Sequence, residues 1–242
     1  MSQPQVSFEA GRRWVVGSIG SAAALAAATP ATVLAACDLV EIRLDALAAE
    51  GIACERGCWR HLAGVPLLFT ARRRDEGGAV ESSPAERIAM LETALDDAAA
   101  IDVEVASSVE MKDFLSLLAS RNLPWIASFH DFAKLPAQEV LALAARQARD
   151  AGAAAFKVAA QLLQPADLPR LAEFQASAHG LPLATMGMGP LAPVSRLLCA
   201  QYGSVLNYGY LGETPTAPGQ WDSALLRQAI ARLTPLGSVL AW

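Results

Sequence analysis

The chain has 242 residues, 53% of them hydrophobic and 18% charged, with a formal net charge of −5. That is long enough to bury a sizeable core and too apolar for a disordered chain. With no basic patch or polybasic tail, nucleic acid is excluded as a natural partner. The four cysteines (Cys37, Cys54, Cys58, Cys199) form no disulfide framework at this length. Cys54, Cys58 and His61 lack both a second half and a usual zinc spacing, so no metal site is expected and the cysteines read as reduced thiols.

Along the chain, short β-rich runs alternate with helical patterns. Strands are expected near 14–19, 38–44, 66–71, 100–105, 124–129, 153–158, 182–187 and 203–208. Between them Ser83–Ala99, Val109–Ser120 and Gln138–Ala151 carry helical periodicity. Ser83-Pro84-Ala85-Glu86 opens the first of these with a capping residue, a proline and a glutamate in the preferred order. Nothing resembling a linker divides the chain, so residues 1–242 read as one domain. Eight strands alternating with helices over this length predict an α/β fold, a (β/α)8 TIM barrel. A polar or otherwise chemical residue near most strand ends (Arg43, Arg72, Glu104, His130, Lys157, Met186, Tyr208) favours the barrel over a doubly wound sheet, whose ligand contacts gather at one switch point.

The N-terminal stretch admits a second reading. Arg12-Arg13, an apolar run from Trp14 to Ala36 and Leu34-Ala35-Ala36-Cys37 look like a twin-arginine export signal with a lipoprotein-type cleavage site. The run is interrupted at Thr29-Pro30-Ala31-Thr32 and is too broken to span a membrane. Cleavage before Cys37 would remove strand one and open the barrel's edges, so Arg12–Cys37 is assigned to the barrel and the protein to the cytoplasm.

Lys157 is the residue that most narrows the chemistry. It lies within Ala153-Ala154-Ala155-Phe156-Lys157-Val158-Ala159-Ala160, an apolar strand, whereas Lys112 and Lys134 have polar or turn-forming neighbours. A buried ammonium must lose its proton or find a partner, and a neutral lysine amine can attack a carbonyl to form a Schiff base. The bland reading is a strand-end lysine that snorkels to water. Strand alternation puts Glu41, Arg43 and Asp45 on one face, and likewise Thr70 with Arg72, Asp102 with Glu104, and Ser128 with His130. Any one pair could be an internal ion pair; several strands doing the same imply a site. His130, one strand from Lys157, is the natural acid/base group, oriented by Glu76 or Asp102. His61 and His179 read as surface residues.

Seven segments in order complete the pattern. They are Glu41-Ile42-Arg43-Leu44-Asp45; Phe69-Thr70-Ala71-Arg72 with Glu76-Gly77-Gly78; Ile101-Asp102-Val103-Glu104; Ser128-Phe129-His130-Asp131-Phe132; Phe156-Lys157-Val158-Ala159; Met186-Gly187-Met188-Gly189 with Ser195-Arg196; and Ala217-Pro218-Gly219-Gln220. Together, over residues 14–221, they resemble type I 3-dehydroquinate dehydratase. The resemblance implies dehydration of 3-dehydroquinate to 3-dehydroshikimate in the shikimate pathway, with no metal or organic cofactor. It implies Lys157 as the Schiff-base lysine, His130 as acid/base and Glu76 as the carboxylate that orients it. Glu41, Arg43 and Arg72 match positions that hold substrate hydroxyls, and Arg196 and Gln220 those that grip the carboxylate. Phe132, Met186, Met188 and Tyr208 wall the ring. Tyr208 stands where phenylalanine is usual, Thr216 where a serine touches the substrate, and Gly209–Pro215 carries one extra residue. The implied partner is a small molecule, with no nucleic acid or membrane, and a homodimer is left open. Two rivals stand beside this: a Schiff-base aldolase on the same barrel, and an exported lipoprotein that binds without turnover.

Overall fold

The computed structural model describes residues 6–9 and 11–234. Among the described residues eight strands and nine α-helices succeed one another. They run β1 (Trp14–Ile19), α1 (Ala22–Ala27), α2 (Pro30–Ala36), β2 (Leu39–Arg43), α3 (Leu44–Ala49), β3 (Leu67–Thr70), α4 (Pro84–Glu92), β4 (Ala100–Glu104) and α5 (Lys112–Ser120). They continue with β5 (Trp125–Asp131), α6 (Gln138–Asp150), β6 (Ala155–Gln161), α7 (Asp167–Ala176), β7 (Leu183–Met188), α8 (Ala192–Gln201), β8 (Leu206–Tyr210) and α9 (Ser223–Ile230). The strands form one parallel sheet in the order β7-β6-β5-β4-β3-β2-β1-β8. At the seam between β7 and β8 the backbone N–H of Val205 donates to the Leu183 carbonyl at 2.9 Å, so the barrel is nearly closed. Among the described residues no helix is long and apolar enough to cross a membrane.

The pleat separates two apolar layers. Val15, Val40, Ile42, Phe69, Ile101, Val103, Phe156 and Val158 point outward and pack under the helices. Val16, Leu39, Leu68, Ile126, Ala155, Ala184 and Leu206 point inward and fill the lower half of the barrel, where Phe8 packs edge-on against Trp14. Above this plug the inward positions turn polar: Ser18, Glu41, Thr70, Asp102, Ser128 and Lys157 are all buried. The site rests on an apolar plug.

Residues 14–36, which carry the signal-like pattern, form β1, α1 and α2, and β1 pairs with both β2 and β8. The expected single alanine-rich helix is two helices, because Thr29 caps a new one at Pro30 by accepting from Thr32 N. The capping box of Ser83 and Glu86 is present, but α4 ends at Glu92 rather than continuing to Ala99. Strands β5 and β6 run past the expected ends to Asp131 and Gln161, since polar side chains facing the barrel mouth leave the backbone ladder intact. Asp45 is a correction: Leu44 begins a helix, so its carboxylate is placed by the first helical turn and not by strand alternation.

Helix α9 closes the barrel by lying directly on β8, where a Cβ at Gly209 would stand 2.6 Å from the Ser223 Cα. Gly209→Ala is therefore expected to lower unfolding free energy by about 1–3 kcal/mol, read from urea titration, since backbone rather than a flexible side chain must yield.

Candidate active site

Lys157 projects from the middle of β6 into the barrel and is 4% exposed. Its ammonium has found a partner: Nζ donates to Asp102 Oδ2 at 2.8 Å, with Glu41 Oε1 at 3.9 Å. The Tyr208 ring lies beneath it, 4.3 Å from Nζ to the ring centroid. Asp102 thus serves the lysine and not the histidine. Its other oxygen, Oδ1, accepts from Ser128 Oγ at 2.6 Å and lies 2.8 Å from Arg72 Nη2. Burial alone would raise the Asp102 pKa, but the Arg72 and Lys157 charges outweigh it and hold the carboxyl down at about 2.

The rest of the floor is equally satisfied. Glu41 accepts from Ser18 Oγ at 2.5 Å and from Thr70 Oγ1 at 2.9 Å. Arg72 Nη1 donates to Glu104 at 2.9 Å and to Ser128 Oγ at 2.5 Å, while Arg87 holds the other Glu104 oxygen at 2.7 Å. Arg43 forks onto Asp45 with contacts of 2.9 and 2.7 Å and reaches the Gly77 carbonyl at 3.1 Å. Asp45 in turn accepts from the backbone of Arg72 and Ala79. This small cluster ties the loop after β3 to the end of β2.

That loop delivers Glu76. Gly77 takes φ +89°, and a side chain at Gly78 would stand 2.3 Å from the Arg72 carbonyl, so both positions need glycine. The tight turn sets Glu76 Oε2 3.0 Å from His130 Nδ1 and 2.9 Å from the His130 backbone N–H. Burial pushes the Glu76 pKa up to about 7, an effect the Arg72 charge only partly offsets. His130 is driven the other way, well below its ordinary value, by burial and by the Arg72, Lys157 and Arg43 charges. Its imidazole is therefore neutral at neutral pH, the form that can accept a proton. His130 sits one inward position nearer the mouth than Ser128, the register partner of Lys157.

The opposite wall comes from β7, β8 and the loops after them. Met186 and Met188 point inward from β7 and are buried. Arg196 on α8 donates through Nη1 to the Tyr208 carbonyl at 2.7 Å and touches Met186 Sδ at 3.5 Å, and among the described residues no carboxylate pairs with it. Burial lowers its pKa to about 10. Gln220 Oε1 accepts from both the backbone N–H and hydroxyl of Thr216, at 2.9 and 2.7 Å. That use of the oxygen leaves the amide NH2 as the group free to meet a ligand. Phe132, 46% exposed, leans on Gly77 at the rim.

One pocket of about 510 Å³, partly open to solvent, joins these two walls. Every residue assigned from the sequence lines it: Glu41, Arg43, Arg72, Glu76, His130, Phe132, Lys157, Met186, Met188, Arg196, Tyr208, Thr216 and Gln220. Gly77, Ala159 and Ala217, which stand in the quoted segments without a role, line it as well, and Ser18 does so without having been singled out. Only the inward alternation Trp14-Val16-Ser18 could have pointed to Ser18. His61 and His179 lie elsewhere, the first bonded to the Leu25 carbonyl and the second stacked on Phe174.

A family model described as type I 3-dehydroquinase matches residues 19–235. The chain belongs to the type I 3-dehydroquinase family. It is 35% identical over 209 residues to the 3-dehydroquinate dehydratase of Haloquadratum walsbyi, covering 81% of this chain and 84% of that one. To the Klebsiella pneumoniae 3-dehydroquinate dehydratase it is 31% identical over 208 residues, covering 81% and 82%. The crystal structure of 3-dehydroquinate dehydratase from Geobacillus kaustophilus superposes with a TM-score of 0.78 at 24% identity, covering 91% of each chain. That from Enterococcus faecalis gives 0.77 at 25%, covering 94% and 98%. The barrel is thus the family's fold.

The opposed shifts of Glu76 and His130 have a signature in stability. Between the ordinary carboxylate range and about pH 7 the folded Glu76 holds a proton that the unfolded chain has lost, so its contribution falls as pH rises. Below about pH 6.5 the unfolded chain protonates His130 while the folded one does not, so that contribution falls as pH drops. The two nearly cancel where their windows overlap. Glu76→Gln removes the first alone. Urea unfolding of that variant between pH 5 and 6.5 is expected to show stability rising with pH, approaching ~1.4 kcal/mol per unit; a slope equal to that of the unsubstituted protein would contradict the assignment.

Proposed function

We propose that the chain is one (β/α)8 catalytic domain that dehydrates 3-dehydroquinate to 3-dehydroshikimate through a Schiff base on Lys157. The observation that carries the proposal is a buried lysine paired with Asp102, one inward position below a neutral, carboxylate-anchored histidine in the same pocket. In this reading the Lys157 amine adds to the substrate ketone, and loss of water leaves a protonated imine that withdraws electrons from the adjacent carbon. His130 Nε2 removes a proton from that carbon, because Nδ1 is engaged by Glu76, and an enamine forms. His130 returns the proton to the departing hydroxyl, and hydrolysis of the imine frees product and lysine.

The carboxylate end of the substrate belongs, in the same reading, to Arg196 and Gln220. A buried guanidinium without an acidic partner is half of an ion pair, and Gln220 adds an NH2 whose direction Thr216 sets. Glu41, Arg43 and Arg72 would meet the hydroxyls, and the two methionines, Phe132 and Tyr208 the ring faces. The reaction as proposed uses no metal or organic cofactor. The proposal places the enzyme in the cytoplasm and leaves the homodimer to sedimentation measurements.

Purified protein supplied with 3-dehydroquinate is expected to generate the enone absorbance of the product. Borohydride added during turnover is expected to leave a reduced adduct on the Lys157 peptide. An active enzyme whose Lys157 peptide stays unmodified would eliminate the covalent route.

Arg196→Lys is expected to reduce kcat/KM about ten- to hundredfold, on the order of 1.5–3 kcal/mol, because a point charge cannot supply two parallel donors. An analogue lacking the carboxylate should bind the unsubstituted protein poorly and lose little more in the variant. Equal discrimination against that analogue by both proteins would remove Arg196 from the carboxylate site.

A further inference from the structure

Tyr208 is 4% exposed, and its hydroxyl is buried with no hydrogen-bond partner among the described residues. Its ring centroid nevertheless lies 4.3 Å from Lys157 Nζ, which is itself 2.8 Å from Asp102 and 3.9 Å from Glu41. The two carboxylates beside Lys157 are each held by hydroxyl groups, Asp102 by Ser128 and Glu41 by Ser18 and Thr70. An unpaired buried hydroxyl is destabilising, and replacing it by an apolar group of the same shape is not. Burial, with the Glu41 and Asp102 charges, pushes the phenol pKa well above its ordinary value, so the group remains a donor throughout the working range.

Imine formation changes the number of donors at this spot. The ammonium presents three N–H groups. Condensation joins nitrogen to the carbonyl carbon and releases the carbonyl oxygen as water, which carries away two of those hydrogens. The single remaining N–H and the positive charge stay on a planar nitrogen, and that N–H lies in the plane of the new double bond. Asp102 at 2.8 Å and Glu41 at 3.9 Å then face one donor of fixed direction where three rotatable ones stood.

We infer that Tyr208 is a positioning residue whose hydroxyl donates to the Asp102–Glu41 carboxylate pair once Lys157 has become an imine. This rests on the Schiff-base reading above. In the free protein the hydroxyl stands in reserve; in the covalent intermediate it replaces the lost lysine donors and keeps the negative charge beneath the iminium.

Tyr208→Phe tests this, since it keeps the ring over the lysine and removes only the oxygen. Relative to the unsubstituted protein, the melting midpoint is expected to be equal or higher and KM for 3-dehydroquinate to stay within about twofold. Both kcat and the borohydride-trapped Lys157 adduct at fixed time should fall by roughly tenfold, the scale of a hydrogen bond to a charged group. Unchanged kcat and adduct yield would overturn the inference. So would a fall in the melting midpoint, which marks a structural role, or a loss confined to KM, which puts the hydroxyl on the substrate. Absence of adduct in the unsubstituted protein is a separate outcome: it overturns the Schiff-base reading itself, and this inference with it.

Discussion

An ammonium inside a barrel must be neutralised where it stands, and most of the interior follows from that demand on Lys157. Asp102 meets it, yet a carboxylate at that depth must itself be held, by Ser128 and Arg72. Arg72 then requires Glu104, and Glu104 requires Arg87. The chain of obligations runs outward from β6 through β5, β4 and β3 until it reaches α4. Asp102, Arg72 and Glu104 each face two partners of opposite charge, so the loss of one neighbour leaves a buried charge only partly compensated. Such a network adds little net stability over an apolar core. What it provides is a fixed geometry around one nitrogen.

The electrostatics divide the pocket into two chemically different ends. On the β3–β6 side positive and negative groups are interleaved, and the protonation states are opposed: Glu76 holds its proton up to about pH 7, while His130 stays a neutral imidazole. On the β7–β8 side, among the described residues, the Arg196 guanidinium has no carboxylate partner. The two ends of the pocket therefore differ in charge as well as in shape.

Much of this was readable from residue order, for reasons particular residues make plain. A lysine between alanines and a phenylalanine has little else to be than an interior group. Glu41 with Arg43, and Thr70 with Arg72, repeat at the strand period, so their common face needed no coordinates. What stayed hidden depends on register across strands. Asp102 on β4 meets Lys157 on β6 over an intervening strand, and that contact exists because β5 places the small Ser128 between them. From sequence, Asp102 looked as well suited to the histidine. Asp45 was misplaced because alternation was carried past the strand's end. Thr216 lines the pocket, and the bond its hydroxyl gives to Gln220 Oε1 within the same loop depends on a turn that residue order does not display.

The seam between β7 and β8 gives the barrel a mechanical direction. Elsewhere neighbouring strands share ladders several residues long, while here the first turn of the closure hangs on the Val205–Leu183 bond at the bottom. Arg196, Met186 and Tyr208 flank that seam on its upper side. The strands that carry Met186 and Tyr208 are therefore tied to each other by fewer backbone bonds than β5 and β6, which carry His130 and Lys157 along a continuous ladder.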